Sequence, residues 1–397
     1  MPVRSLLPAA PRRLAVTVLF AGSLAHAQWT ATSLHPEGTS SSAAYAVGDG
    51  QQAGSAHFGP EPSAGLWSGS ASSWVSLQPG SEIVNSEVLA VHDGRQGGGG
   101  LGSLGTRALL WDGSAGSWRD LTPAGAGSAR LLGMGADGQV GFTNDGDGYR
   151  AALWRGDAGS HVDLAPPGSN DSWAFDIDGG AQVGFARFGG DDMAALWAGT
   201  AATYTSLHPD GALASSARGI HAGQQVGSAF FGEGERASLW TGTAGSWTDL
   251  TPAGATRSII EAVHDGWQAG WANVDGSFRH AGAWNGTARS WVDLHAVLPE
   301  HFTWSTATDL WHDGATIHVV GYGFNESMER FEALLWTRSL ALCEADLDAD
   351  GSLTIFDFLM FANLFDAGDK RADFDGDGVL TIFDFLAFQD AFDAGCG

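Results

Sequence analysis

"ASLWTGTAGSWTDLTPAG", residues 237–254, is a near copy of "ALLWDGSAGSWRDLTPAG", residues 108–125. The tryptophan of this Leu-Trp element recurs at Trp67, Trp111, Trp154, Trp197, Trp240, Trp284 and Trp336, spaced by 43 or 44 residues until a longer last step. A fixed period of that length marks one supersecondary unit repeated, here seven times.

Inside a unit, four short stretches alternate apolar with small or polar residues, as in "ARGIHAG", "QQVGSAFFG", "RASLWTG" and "SWTDLTP" between residues 217 and 252. Alternation over so few residues, broken by glycine-containing turns, predicts strands. Four strands in about 40 to 45 residues is a propeller blade, so residues 28–340 are expected to form a seven-bladed β-propeller. In six units a second ring follows the tryptophan by seven residues (Trp74, Trp118, His161, Tyr204, Trp247, Trp291), a spacing that predicts a hairpin. Two halves remain unmatched, Trp29 and Trp336. Pairing "QWTATSL" (28–34) with "EALLWTR" (332–338) would make the first strand the outermost strand of the last blade, closing the ring and hiding its edges.

These units resemble the bacterial extracellular HAF-type repeats, which combine a turn like "HDGWQAG", a strand like "RASLW" and a following "DL". The resemblance implies a secreted propeller and brings no catalytic residue with it.

Residues 1–27 read as an export signal: Arg4, Arg12 and Arg13, the apolar run "LAVTVLFAGSLA", then "AHA" ending at Ala27. No later run is long enough to span a bilayer. A secreted, extracellular or surface-associated bacterial chain beginning near Gln28 is therefore expected. Its formal charge of −26, or −29 once those arginines are removed, excludes nucleic acid and anionic membranes as natural partners.

Residues 343–397 carry 13 acids against Lys370 and Arg371, a composition shift that predicts a second domain. Cys343 and Cys396, the two cysteines of the chain, bracket it and predict a disulfide in an exported protein, in preference to two free thiols. Within it, "DLDADGSLTIFD" (346–357) and "DFDGDGVLTIFD" (373–384) repeat a twelve-residue pattern of oxygen donors with glycine at position 6. Ca²⁺ takes six to eight oxygens from such a loop. The first would use Asp346, Asp348, Asp350, the Ser352 carbonyl, Thr354 through water, and Asp357; the second Asp373, Asp375, Asp377, the Val379 carbonyl, Thr381 and Asp384. Two Ca²⁺ ions are expected, since unneutralised carboxylates this close repel. After each loop, Phe358, Phe361 and Phe365, and Phe385, Phe388 and Phe392, fall on one helical face and are expected to pack two helices together. The duplicated loop-helix halves resemble a type I dockerin. That resemblance implies a cohesin-like or other extracellular receptor and a place in polysaccharide-degrading assemblies.

Other candidates are weaker. "HDG" at His92, His264 and His312 has counterparts in the other blades and reads as a strand-connecting turn. No nucleophile elbow, zinc or phosphate-loop motif is present. One rim is expected to carry Phe58, Trp173, Phe188, Phe231, Phe278 and Trp304, rings suited to a polysaccharide or protein ligand. The same rim carries Asp191, Asp192, Glu233 and Glu235. The resulting expectation is a secreted, non-catalytic binding or scaffold protein attached through its tail, with a carbohydrate-active enzyme as the second reading.

Overall fold

The computed structural model describes residues 29–274, 276, 278–340, 345–348, 353–376 and 378–394. The export-signal and disulfide assignments, and the ligands Asp350, Ser352 and Asp377, lie outside the described residues.

Seven four-stranded antiparallel sheets form a seven-bladed β-propeller. Six blades occupy residues 42–76, 83–120, 128–163, 171–206, 214–249 and 257–293, each with strands in chain order from the axis outward. The seventh takes three strands from residues 302–339, and Thr30–Ser33 is its outermost strand. Thr30 pairs with Thr337 and Ser33 with Leu334, so the ring closes by backbone pairing between the two ends of the propeller.

Each blade is built on its Leu-Trp tryptophan. All seven lie on third strands and are essentially without solvent exposure. Trp111, Trp284 and Trp336 also donate their indole N–H to the carbonyls of Leu77, Leu250 and Leu294 at the end of the preceding blade, at 2.9 Å. Those leucines are buried, and their own N–H groups bond back to Ala64, Ala237 and Ala281.

Serines latch neighbouring blades. At six joints a serine at the start of an inner strand (Ser42, Ser86, Ser172, Ser215, Ser258, Ser305) accepts the N–H of an alanine on the previous blade's third strand. A buried N–H left unpaired costs about 1–3 kcal/mol, so these contacts fix the register between blades.

The ring seven residues past the tryptophan folds back through a short 3-10 turn, as its spacing predicts. Trp291 then lies against Gly282, where an added Cβ would stand 2.1 Å from the indole nitrogen. Gly282→Ala is accordingly expected to displace Trp291 and cost about 1–3 kcal/mol, read from a urea midpoint, with Ala283→Gly as a control for backbone entropy.

The C-terminal unit is a separate compact body. Helices α1 (Ile355–Asp366) and α2 (Ile382–Ala394) pack through the predicted phenylalanines. Phe361 and Phe388 are buried and stacked at 4.4 Å, with Phe358, Phe365, Phe385 and Phe392 around them.

Candidate functional sites on the propeller axis

Every inner strand carries a register shift against its neighbour. The extra residue of each bulge (Tyr45, Leu89, Leu132, Phe175, Arg218, Glu261, Thr308) lines a cavity of about 320 Å³ on the axis. Three apolar side chains thus sit on one arc and polar ones on the rest. Arg218 pairs with Glu261 at 3.0 Å, and its guanidinium lies 5.6 Å from the Phe175 ring.

Asp176 and Asp309, each one residue past a bulge, join blades. Asp176 accepts the N–H groups of Ile177 and of Ile220 in the next blade; Asp309 accepts those of Leu310 and Val47. Burial pushes both carboxyls up to about 7, against the lowering effect of those bonds. Each keeps an edge on the lumen, where water offsets part of the burial cost. An unfolded aspartate ionises near 4, so from pH 4 to 7 the native state holds the extra protons and stability falls as pH rises. Discounted for the lumen water, this is worth on the order of 2 kcal/mol per carboxyl. Urea midpoints are expected to drop between pH 4 and 7, and the slope to flatten in Asp176→Asn/Asp309→Asn. An unchanged slope in the double variant would contradict this origin.

The cavity ends at the turns leaving the inner strands. There the "HDG" and "HAG" turns, one blade apart in sequence, become neighbours. His221 and His264 rings lie 4.2 Å apart, and His264 and His312 5.7 Å. Asp265 holds His221 at 2.8 Å and lies 3.8 to 3.9 Å from His312 and His264. Burial, followed by the neighbouring imidazoles, pushes His264 down to about 4, keeping it neutral near pH 7. Asp265 stays below the usual carboxylate range, because its His221 bond and the surrounding imidazoles outweigh its partial burial. As turns they are what the sequence predicts, and Asp265 adopts a left-handed φ of 44°. Their convergence was not visible in any single unit.

On the opposite face a second pocket, about 420 Å³, is lined by Tyr45, His57, Arg279, Trp304, Tyr322 and Phe331, among others. The Arg279 guanidinium lies 4.7 Å from the Trp271 ring and 5.6 Å from that of Trp304. Among the described residues no carboxylate pairs with it. Trp304 also meets Tyr322 and Phe331 edge to face.

The six predicted rim rings do not form one patch. Phe58 packs on Trp74, Phe188 on Tyr204 and Phe231 on Trp247, each on the outer ring of its own blade. Phe278 is exposed. Trp173 stacks on Phe142 at 4.6 Å, and Trp304 alone of the six lines the Arg279 pocket. Among the rim acids, Asp192 pairs with Arg187, Glu235 with Arg257, and Glu233 lies 4.0 Å from Arg236. Asp191 is the exposed first residue of its strand.

In the C-terminal unit, carboxylate oxygens of Asp346, Asp348 and Asp357 come within 4.8 Å of one another, as do those of Asp373, Asp375 and Asp384. Asp357 accepts the N–H groups of Leu347, Asp348 and Thr354, and Asp384 those of Asp375 and Thr381. The hydroxyls of Thr354 and Thr381 accept the N–H groups of Phe356 and Phe383 at the helix starts. Val379 lies in the second loop with its side chain exposed.

No protein-family model matches the sequence, and no curated protein does. Among solved structures, the fold resembles a puromycin hydrolase complexed with PGG (TM-score 0.50, 13% identity, 76% of this chain and 56% of that one). It also resembles an acylaminoacyl peptidase in complex with Z-Gly-Gly-Phe-chloromethyl ketone (TM-score 0.50, 10% identity, 76% and 52%). The β-propeller domain of the trilobed protease from Pyrococcus furiosus matches at TM-score 0.49 and 8% identity, over 75% of this chain and 94% of that one. The chain spans little more than half the length of the first two. No membrane-spanning helix occurs among the described residues.

The two hydrolase neighbours overturn the expectation of a non-catalytic scaffold. The same architecture stands within hydrolases, so neither the fold nor a missing catalytic motif marks a scaffold.

Proposed function

We propose that this propeller is the substrate-engaging part of a peptide-hydrolysing protein or complex, and that it receives the carboxylate end of a peptide in the Arg279 pocket. The carrying observation is Arg279 itself: a guanidinium within 4.7 Å and 5.6 Å of two indole rings, without a protein carboxylate among the described residues, at the edge of an aromatic pocket. Contact with the ring faces restrains the cation and leaves its N–H fork for a bidentate carboxylate. Tyr45, Tyr322 and Phe331 offer a surface for an apolar side chain beside it. The resemblance in fold to an acylaminoacyl peptidase makes peptides the first ligand class to test, while the assignment to this chain rests on the pocket. Titrating short peptides ending in phenylalanine into the full chain should quench tryptophan fluorescence through Trp304. Arg279→Gln should weaken that binding by at least about tenfold, the size of a lost charge-assisted hydrogen bond. Equal binding by wild type and variant would overturn the proposal.

For the C-terminal unit we infer a pair of calcium loops, in a dockerin-like module of an exported chain with HAF-type repeats. The donor set supports this reading: all-oxygen carboxylate trios suit a hard cation, and Asp373 keeps one buried carboxylate oxygen without a hydrogen-bond partner. When bound, Ca²⁺ would supply the charge that lets Asp346, Asp348 and Asp357, and Asp373, Asp375 and Asp384, stay close. The exposed Ile355, Phe356, Ile382 and Phe383 at the two helix starts form an equivalent pair of apolar surfaces, the place where a cohesin-like receptor would sit.

A further inference from the structure

We propose that His221, His264 and Asp265 form a binding site for a divalent first-row metal ion, Zn²⁺ in the first instance, at the end of the axial cavity. One ligand atom from each lies within 4.8 Å of the other two. His221 Nε2 stands 2.8 Å from Asp265 Oδ1 and His264 Nδ1 3.9 Å from Asp265 Oδ2, so the two imidazoles approach the two oxygens of one carboxylate. With metal–donor bonds of about 2.0–2.1 Å, neighbouring donors stand about 3.3 Å apart. A hydrogen bond joins His221 and Asp265; an ion would replace it, as metal binding at such sites releases protons.

A second, independent observation points the same way. His264 Nδ1 is buried without a hydrogen-bond partner. An imidazole nitrogen in that state has lost its solvation and gained nothing for it, and in the tautomer that leaves its lone pair free it suits an electrophile in the space it faces. His312 takes a different role. Its Nδ1 accepts the N–H of Gly314 at 2.9 Å, so in the neutral ring the proton sits on Nε2, which faces Asp265 Oδ2 at 3.8 Å. It would therefore orient the carboxylate from outside the ligand set, as outer partners of metal sites commonly do. Two imidazoles and one carboxylate leave a coordination position open toward the lumen, where His221 and His264 already form the wall.

The site differs in donor chemistry from the C-terminal loops, whose all-oxygen sets favour calcium. That difference allows a clean experiment on the full chain. After chelator treatment and dialysis into excess Ca²⁺, titration with Zn²⁺ should show one added equivalent in the wild type. That equivalent should be lost in His264→Ala and in Asp265→Asn, weakened about 10- to 100-fold in His312→Phe, and kept in Asp346→Asn/Asp373→Asn. Uptake that survives both ligand variants, uptake that follows the C-terminal variant, or no uptake at all would overturn the proposal. Co²⁺ on the wild type gives a readout that needs no variant to fold: intense visible absorption of a four-coordinate ion supports the site, and a weak octahedral spectrum contradicts it.

Discussion

Replacing Trp336 with alanine is expected to cost the propeller about 3 to 5 kcal/mol, among the largest single-residue losses available in this chain. The side chain is fully buried, its indole N–H bonds to the Leu294 carbonyl, and its backbone faces Ala31 on the closing strand. Truncation would remove a large apolar contact, leave a buried carbonyl unpaired and open a cavity at the seam that holds the ring shut. Trp336→Phe separates these terms: it keeps most of the buried surface and loses the hydrogen bond, so a cost of about 1–3 kcal/mol is expected. Equilibrium urea unfolding of both variants, monitored by the remaining tryptophans, checks the order. Deleting residues 29–34 should be at least as damaging as the alanine variant, because it also exposes the edge of the last blade. A ring indifferent to that deletion would not be closed by its first strand.

Calcium removal carries the second large effect, and it falls on the C-terminal unit. An ion bound to the folded state alone and present at about 100 times its dissociation constant stabilises that state by about 2.7 kcal/mol per site. Chelation should therefore melt α1 and α2 at a lower temperature and leave the strand signal of the propeller unchanged. Asp373→Asn, which neutralises the loop carboxylate with the unpartnered buried oxygen, should lower calcium affinity at the second loop and spare the first. Circular dichroism at helical wavelengths with and without chelator measures the first expectation, and calorimetry of the variant measures the second. Helices equally stable in chelator would remove the grounds for calcium.

The two units differ in how much of them could be read from sequence. The propeller was legible because sameness encodes it: a tryptophan every 43 or 44 residues, a second ring seven residues later, and two unmatched halves that must pair. The axis was not legible, because its chemistry sits where the repeats differ. Tyr45, Leu89, Leu132, Phe175, Arg218, Glu261 and Thr308 occupy one structural position and share no property that a repeat comparison would single out. The signal was the bulge, visible only when strands are paired. The "HDG" turns show the converse error. Recurrence in every blade was rightly read as backbone geometry, but rotation about an axis also gathers recurrent turns into one ring, bringing His221, His264 and Asp265 together. Arg279 escaped notice because its neighbours Trp271 and Trp304 belong to different blades. The want of a motif within the repeats says nothing of role either, because propellers of this architecture occur in hydrolases.

Calorimetry of the full chain with one short peptide ending in phenylalanine, offered first as the free acid and then as the amide, bears directly on Arg279 as a receptor for peptide carboxylates. The free acid is predicted to bind at least about tenfold more tightly, the worth of one charge-assisted hydrogen bond. Equal affinity for the two forms, or binding of neither, would contradict it.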